Sequence, residues 1–546
     1  MSEFLPGSFG MPFIKKLLSR ILFDLQYHFR WSFLPPLIIY FSAGLSGLTA
    51  ITGAFYVKEQ LGLSAAFLAG LGFWAGLPWA LKMVFGHLVD IIWTRKTILI
   101  YLGAILMAAS FTIMFAVIQF PDCFRNYLPL ESWYVISVIL TALGLVLQDS
   151  VADAMSVEAV PKFDRKGQTY DDTHIKAFHT TMQTFGRFAL IGGIVIVALI
   201  NIYVFKDVAL LEQEEKTTLY GRMYLLALII PLISISSVAI ATFLRLRAYR
   251  HFIEAGLKPQ EINTMINPQE KTNLNYKYIW GGMAIFGLIF IIGILDFTYS
   301  QEIVFVGSIS VILYLMFQMV GELDPIHRTT LFGTALIIFV FRAVPLPGPG
   351  LTWFEIDELG FDQQFLSILT LLTLIGMVLL RPLIVHKSIS YIIVLLTLFA
   401  GILSLPNIGL YYGLHHWTAP LTGGVVDARF IALIDAAIES PLGQVAMIPM
   451  LAWIARNAPD HLKATFFAVM ASFTNLALSA SNLLTKHINE IFVITREVKD
   501  RASGEIVAAA DYSQLGVLLI TVACISVLAP LLIIILVKRS PLHVAD

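Results

Sequence analysis

GHLVDIIWTRK, residues 86–96, closes one apolar run and opens the next. Gly86 lets a neighbouring helix come close, Asp90 ends the run that began near 64, and Arg95 and Lys96 occupy a tight turn before a second run over 97–120. A hydrocarbon core about 30 Å thick needs roughly 20 apolar residues per helical crossing. Both flanking runs reach that length. The stretch therefore reads as the charged turn between two membrane spans.

The composition agrees. Of 546 residues, 58% are hydrophobic and 13% charged, and the mean hydropathy is +0.79. A soluble protein is about half apolar and about one quarter charged, so the deficit of charge marks an all-α polytopic membrane protein. A net charge of −1 gives no sign of a nucleic-acid partner. Cys123 and Cys524 have neither disulfide nor metal spacing, and no cofactor motif is present.

Six spans are expected near 33–57, 64–91, 97–120, 132–159, 174–204 and 219–244. A polar segment follows, then two shorter runs near 278–299 and 302–320, then six spans near 328–358, 362–383, 389–411, 429–455, 464–486 and 514–537. This predicts a leader over 1–30, a six-helix bundle over 31–248, a linker over 249–277, an extra hairpin over 278–322 and a second bundle over 323–546. The leader shows no cleavable signal. Phe13, Ile14, Leu17, Leu18, Ile21, Leu22 and Leu25 recur at helical spacing between Lys15, Lys16 and Arg20. They suit either a helix lying on the membrane surface or a basic leader that sets topology.

Lys and Arg concentrate on one side of the membrane, at 15, 16, 20 and 30, at 95 and 96, at 162, 165 and 166, at 245, 247 and 250, and at 538 and 539, and the loops across it are less basic except the one near 487–513. That asymmetry puts both termini in the cytoplasm. With no N-x-S/T sequon anywhere, the setting expected is a bacterial inner membrane, with the chain a monomer. The loop over 487–513 carries FVITREVK and EIVAAA around DRASG, either a small β-hairpin or an irregular loop. Pro345, Pro347 and Pro349 interrupt the seventh main span. Either the helix is broken there as a gating element, or the span ends at Pro345.

The chemistry sits inside the spans. LQDSVADAMSVEA, residues 147–159, places Asp149 and Asp153 four apart on one helix face, with Glu158 at the membrane surface. Ionised groups at this depth cost several kcal/mol unless they face a partner or water. Lys82, Arg187 and Arg342 lie at similar depth in other spans, and Asp435 with Glu439 forms a second pair four apart. Such a seam is either a set of buried ion pairs locking helices together or the lining of a transport path.

The wider contexts resemble a known family. GHLVDIIWTRK resembles the G-x-L-x-D-x-x-x-R-K signature of the major facilitator superfamily, with one residue more before the basic pair. GLPWALK at 76–82, LQDSVADAMSVEA, FRAVP with DELGFDQQFLSIL from 341 to 369, and the run from 434 to 484 that includes Asn475 resemble the folate–biopterin transporter branch. Met83 departs from the proline usual after the lysine, and Ser150 from an aliphatic residue. Bacterial muropeptide permeases share related patterns.

The resemblance implies a major facilitator fold and secondary transport of a pterin-like or other small organic anion, coupled to protons. It implies that Gly86, Asp90, Arg95 and Lys96 act as a conformational latch. It also implies a substrate and proton path through Lys82, Asp149, Asp153, Arg187, Arg342, Asp435, Glu439 and Asn475. A membrane-embedded metal enzyme is the rival reading, with D-x-x-x-D as ligands and a phospholipid as substrate, but no second acidic or His cluster lies nearby in the sequence and the loops are too short for a catalytic domain. His415, His416 and Asp427 are a separate conceivable outer metal site, though histidines at an interface need no ligand.

Overall fold

Proline at the first turn, polar N-caps and apolar runs of about twenty residues set the helices in this chain, and a computed structural model shows how they pack. It describes residues 29–161 apart from 62, 170–254, scattered positions between 256 and 292, 299–320, 325–380, 389–439, 463–499 and 506–542. The leader over 13–25, most of the linker and most of the first extra run over 278–299 lie outside the described residues.

The first span is α1 (Leu34–Leu45) and α2 (Ala50–Gln60), opened by Pro35 and Pro36. The second is α3 (Ala65–Ala80), capped where Ser64 accepts from the Phe67 N–H at 3.1 Å, and α4 (Lys82–Ile91), with a break at Leu81. α5 (Thr97–Gln119), α6 (Leu130–Glu158) and α7 (Asp172–Val204) follow, then α8 (Gln213–Ala227) and α9 (Ile229–Glu254) as the sixth span. Asp171 caps α7 through the His174 N–H, and Glu212 with Glu215 forms a capping box for α8.

α10 (Ser300–Val320) is the second extra helix. The seventh main span is broken. α11 (Pro325–Arg342) stops, Gly348 takes φ +80°, and α12 (Pro349–Asp357) restarts behind Pro349. A positive φ suits glycine, so the chain turns past the prolines and resumes as a second, nine-residue helix. α13 (Gln363–Leu380), α14 (Ile389–Tyr411), α15 (Ala428–Glu439) and α16 (Lys463–Ile491) come next. β1 (Val498–Lys499) pairs antiparallel with β2 (Ile506–Ala508), so the 487–513 loop holds a hairpin, and α17 (Leu515–Arg539) closes the chain.

Among the described residues, eight helical segments are long and apolar enough to cross a membrane. Small residues permit the tight crossings that lipid-embedded helices need. A Cβ on Gly103 of α5 would meet the Gly144 carbonyl of α6 at 2.6 Å, and one on Gly144 would meet Gly103's at 2.7 Å. Nearby, Ser110 bonds Ser137 and Thr141, and Gln148 donates to the Ile100 carbonyl and to Ser234. Ile105, Leu232 and Phe243 are left exposed, as on a lipid-facing surface.

The two halves meet mainly where α3 and α4 pack on α16, and where α7 packs on α13. α10 lies along α16 and also reaches α3, where Gln301 donates to the Gly70 carbonyl at 3.3 Å. The start of α1 and the end of α6 share one face, since Ser32 donates to the Ala159 carbonyl at 2.6 Å. The turn between α2 and α3 and the hairpin before α17 share the opposite face.

Candidate functional site: a charged cluster at a helix break

The break at Leu81 positions the site. In an unbroken helix the Met83 N–H would bond the Trp79 carbonyl. Here both groups are met from the other half. Met83 donates to Ser472 Oγ at 3.2 Å, and Asn475 Nδ2 donates to the Trp79 carbonyl at 3.1 Å, both from α16. The departure from proline at Met83 supplies the N–H that makes the first of these bonds.

Between those two residues stands Lys82, whose ammonium lies between two carboxylates of α6. Lys82 Nζ pairs closely with Asp149 Oδ2 and sits 2.6 Å from Asp153 Oδ2. Its Nζ lies 5.9 Å from the centroid of the Trp79 ring. The carboxylates differ in setting. The Asp149 side chain is 13% exposed, whereas that of Asp153 is 49% exposed and also accepts from Tyr40 Oη at 2.7 Å. Tyr40 comes from α1 and is buried. A Cβ on Gly186 of α7 would lie 3.1 Å from its ring, so four spans converge on the pair.

Arg187 follows Gly186, is exposed, and its charge acts on Asp149. Arg342 ends α11 at the break in the seventh span and is half-buried. Asp435 is buried on α15 and accepts from Asn407 Nδ2 at 3.1 Å. The Glu439 side chain lies outside the described residues, as does that of Asp90.

Gly86 sits within α4 with open space around it, and Arg95 is exposed. Lys96 is buried, stacks on Trp93 at 3.9 Å, and pairs with Glu158 at 2.8 Å. Arg245 approaches the same carboxylate at 4.0 Å. Glu158 thereby ties the turn after α4 to α6 and α9, a role that its place at the end of an apolar run does not suggest.

The opposite face carries a second cluster that sequence reasoning missed. Lys58 of α2 and Asp357 of α12 form a buried ion pair across the halves. Tyr512 Oη donates to Asp357 at 2.5 Å, and the Glu497 N–H approaches it at 3.5 Å. Arg496, buried beside the hairpin, donates to the carbonyls of Lys58 and Leu63 at 2.6 Å each and to that of Leu61, while its guanidinium lies 5.5 Å from the Trp353 ring. Burial pushes the Tyr512 phenol well above its ordinary range, with Asp357 adding to the shift. Burial likewise draws the Arg496 guanidinium below its own ordinary value. A further bridge runs from Glu59 through Gln213 at 3.1 Å, while Tyr220 accepts from Gln363 of α13 at 2.7 Å. The one available signal was charge at the span ends, at Lys58, Glu59 and Asp357.

The cation between Asp149 and Asp153 is thus a lysine of the chain itself. Among the described residues no group of three His, Cys, Asp or Glu could hold a metal ion.

Over residues 43–544 the sequence matches the BT1 family. The chain belongs to the BT1 family. A similar protein is the folate-biopterin transporter of Synechocystis sp. (strain ATCC 27184 / PCC 6803 / Kazusa), 22% identical over 454 residues, covering 82% of this chain and 72% of the relative. Among solved structures, a peptide transporter POT in complex with alafosfalin superposes with TM-score 0.58 at 15% identity, covering 93% of this chain and 94% of the other. A POT family transporter in complex with a thioalcohol-conjugated peptide gives TM-score 0.58 at 13% identity, covering 93% and 96%. These likenesses establish the major facilitator fold. The resemblance read from the motifs holds, and this BT1 family member is a multi-pass membrane transporter rather than an enzyme.

Proposed function

We propose that this BT1 family protein moves a small organic anion of the pterin or folate type by alternating access, coupled to protons. One observation carries the reading: Lys82 bridges Asp149 and Asp153 where the second span breaks, and the half-exposed Asp153 indicates that the cluster opens to water. A pterin's amino-pyrimidinone edge offers adjacent N–H donors that suit a carboxylate, and a carboxylate tail suits Arg or Lys. Asp149 or Asp153 serves the first need, and Lys82, Arg187 or Arg342 the second. Protonation of one carboxylate releases Lys82 from half of its countercharge, which links proton binding to the cation that meets the solute. Asp435, Glu439 and Asn475 extend this path into the second half.

Charge asymmetry of the loops supports cytoplasmic termini in a bacterial inner membrane. The face joined by Lys58, Asp357 and Arg496 is then the outer one, and the conformation described is closed to the outside. Gly86, Asp90, Arg95 and Lys96 act at the inner face as the latch between states.

Uptake into proteoliposomes from a panel of folates, pterins, muropeptides and nucleosides tests the reading. A pterin or folate should accumulate against its gradient under an inward proton gradient, and a protonophore should abolish accumulation. Accumulation that survives the protonophore would overturn proton coupling. Uptake of muropeptides alone would overturn the solute class.

A further inference from the structure

Asp149 and Asp153 share one lysine, yet their surroundings divide them. Asp153 has a second donor, Tyr40 Oη at 2.7 Å, and its side chain is 49% exposed. Asp149 has Lys82 as its hydrogen-bonding partner and is 13% exposed. Hydration and donors both favour the ionised form of a carboxylate, and burial favours the neutral one. Two carboxylates around one cation also titrate as a pair, so whatever secures the charge on one directs the proton to the other.

Resting on the proton-coupled reading above, we infer that Tyr40 is a positioning residue that holds Asp153 as the permanent counter-ion of Lys82, leaving Asp149 as the group that takes and releases the proton. The charged and titratable groups that face the pair are Tyr40 from α1, Lys82 from α4 and Arg187 from α7. From α16 come Ser472 and Asn475, bonded to the backbone on either side of Lys82, and neither titrates. Ser156 donates to the Asp153 carbonyl at 2.7 Å and fixes the backbone turn beneath the carboxylate. Tyr40 is itself held, because its ring fills the space beside Gly186. Its hydroxyl therefore keeps its aim when the proton moves.

The division gives each carboxylate a separate task. When Asp149 is neutral, Lys82 keeps one fixed anion, and the site gains one positive charge relative to its ionised state. An anionic solute meets that added charge. When Asp149 gives up its proton, Lys82 is again shared by two anions, and the solute loses its hold.

Infrared difference spectroscopy of the purified protein, titrated with pH, reads the proton directly through the C=O stretch of a neutral carboxylic acid. The protonated-carboxyl band of the pair should vanish in Asp149→Asn and persist in Asp153→Asn. Tyr40→Phe keeps the ring beside Gly186 and removes the donor, so a second titrating carboxyl should emerge. In proteoliposomes the pH midpoint of Tyr40→Phe uptake should move upward by about half a unit or more, because the pair then binds its first proton more readily. A band that vanishes in Asp153→Asn but persists in Asp149→Asn would overturn the assignment. So would a Tyr40→Phe titration that superposes on that of the parent protein. Failure of the protonophore test would sink the transport coupling and leave the infrared assignment standing, so the two claims fail separately.

Discussion

Lys58 of the first half and Asp357 of the second form an ion pair buried on both sides, with side chains 7% and 9% exposed. The pair does not stand alone. Tyr512 donates to the same carboxylate, and Arg496 grips the backbone around Lys58 and Leu61. A buried pair adds little net stability over an apolar contact, but removal of one member leaves a costly unpaired charge. We therefore predict that the cluster makes one arrangement of the two halves specific.

Removing the cation should open that face. Lys58→Met strands Asp357 and should disfavour the closed arrangement by about 3 kcal/mol. A cysteine at Leu61, which is 1% exposed in the native chain, reports the change once Cys123 and Cys524 are replaced by serine. Its labelling by a membrane-impermeant thiol reagent should rise at least tenfold in Lys58→Met. Equal labelling with and without the substitution would show that the pair does not hold the face shut.

Tyr512 predicts a pH dependence with a definite sign. Its phenol is raised in the folded protein by burial and by Asp357, so the neutral form is favoured by folding. That contribution is fully present below the unfolded value of about 10. It is lost as pH rises toward the folded value. Labelling at position 61, divided by that of an exposed reference cysteine to remove the thiol's own ionisation, should therefore be flat through neutral pH and climb above about pH 10, and Tyr512→Phe should blunt the climb.

Lys82 is predicted to matter more than either carboxylate. Lys82→Met leaves two anions facing each other and should lower stability by about 3–5 kcal/mol, read as a fall in melting temperature in detergent. Adding Asp149→Asn to Lys82→Met should recover a good part of the loss, because it removes one of the two stranded charges. Additive losses in the double variant would show that the two side chains do not interact energetically.

The helix break at Leu81 makes a prediction about the contact between halves. Ser472→Ala removes the acceptor of the Met83 N–H and should cost about 1 kcal/mol. Asn475→Leu leaves the Trp79 carbonyl with only the Leu81 N–H at the helix end and should cost no more than that. Hydrogen exchange at the Met83 amide, followed by mass spectrometry of the second span, should quicken in Ser472→Ala. Unchanged exchange would mean that the bond to Ser472 does not protect that amide.

Close approach of α5 and α6 should be equally sensitive. Gly103→Leu places carbon atoms where the Gly144 carbonyl stands, and overpacking of this kind costs about 1–3 kcal/mol. Melting temperature and expression yield check it, with Gly86→Ala as the comparison because nothing lies within 4 Å of a Cβ there.

Much of this molecule was legible before any coordinates. Apolar run length placed α5 and α6 to within a few residues, since a lipid span is a local property of about twenty consecutive side chains. Three prolines and two glycines over 345–350 announced the break between α11 and α12, although only the structure decided that the chain resumes as a helix. Spacing of four put Asp149 and Asp153 on one face, and the depth of Lys82 made it a candidate to meet them. Their chain separations from Lys82 are 67 and 71 residues, and nothing in either local pattern states the rotation or height at which the helices meet.

By itself the sequence determined the class, the bounds of spans such as α5 and α6, the interruption at the three prolines and the stock of charges inside the apolar runs, because each depends on neighbours in the chain. The break at Leu81 it did not announce. Tertiary structure decided which charges meet. Arg496 reaches the Lys58 carbonyl across 438 positions, and Tyr40 reaches Asp153 across 113. Pairing at such range depends on how helices cross and turn about their axes. Those crossings are set by small-residue contacts such as Gly103 with Gly144 and by backbone groups at a helix break such as Trp79's carbonyl. Helical periodicity records which face of a helix is apolar, but it does not record which neighbour that face will find.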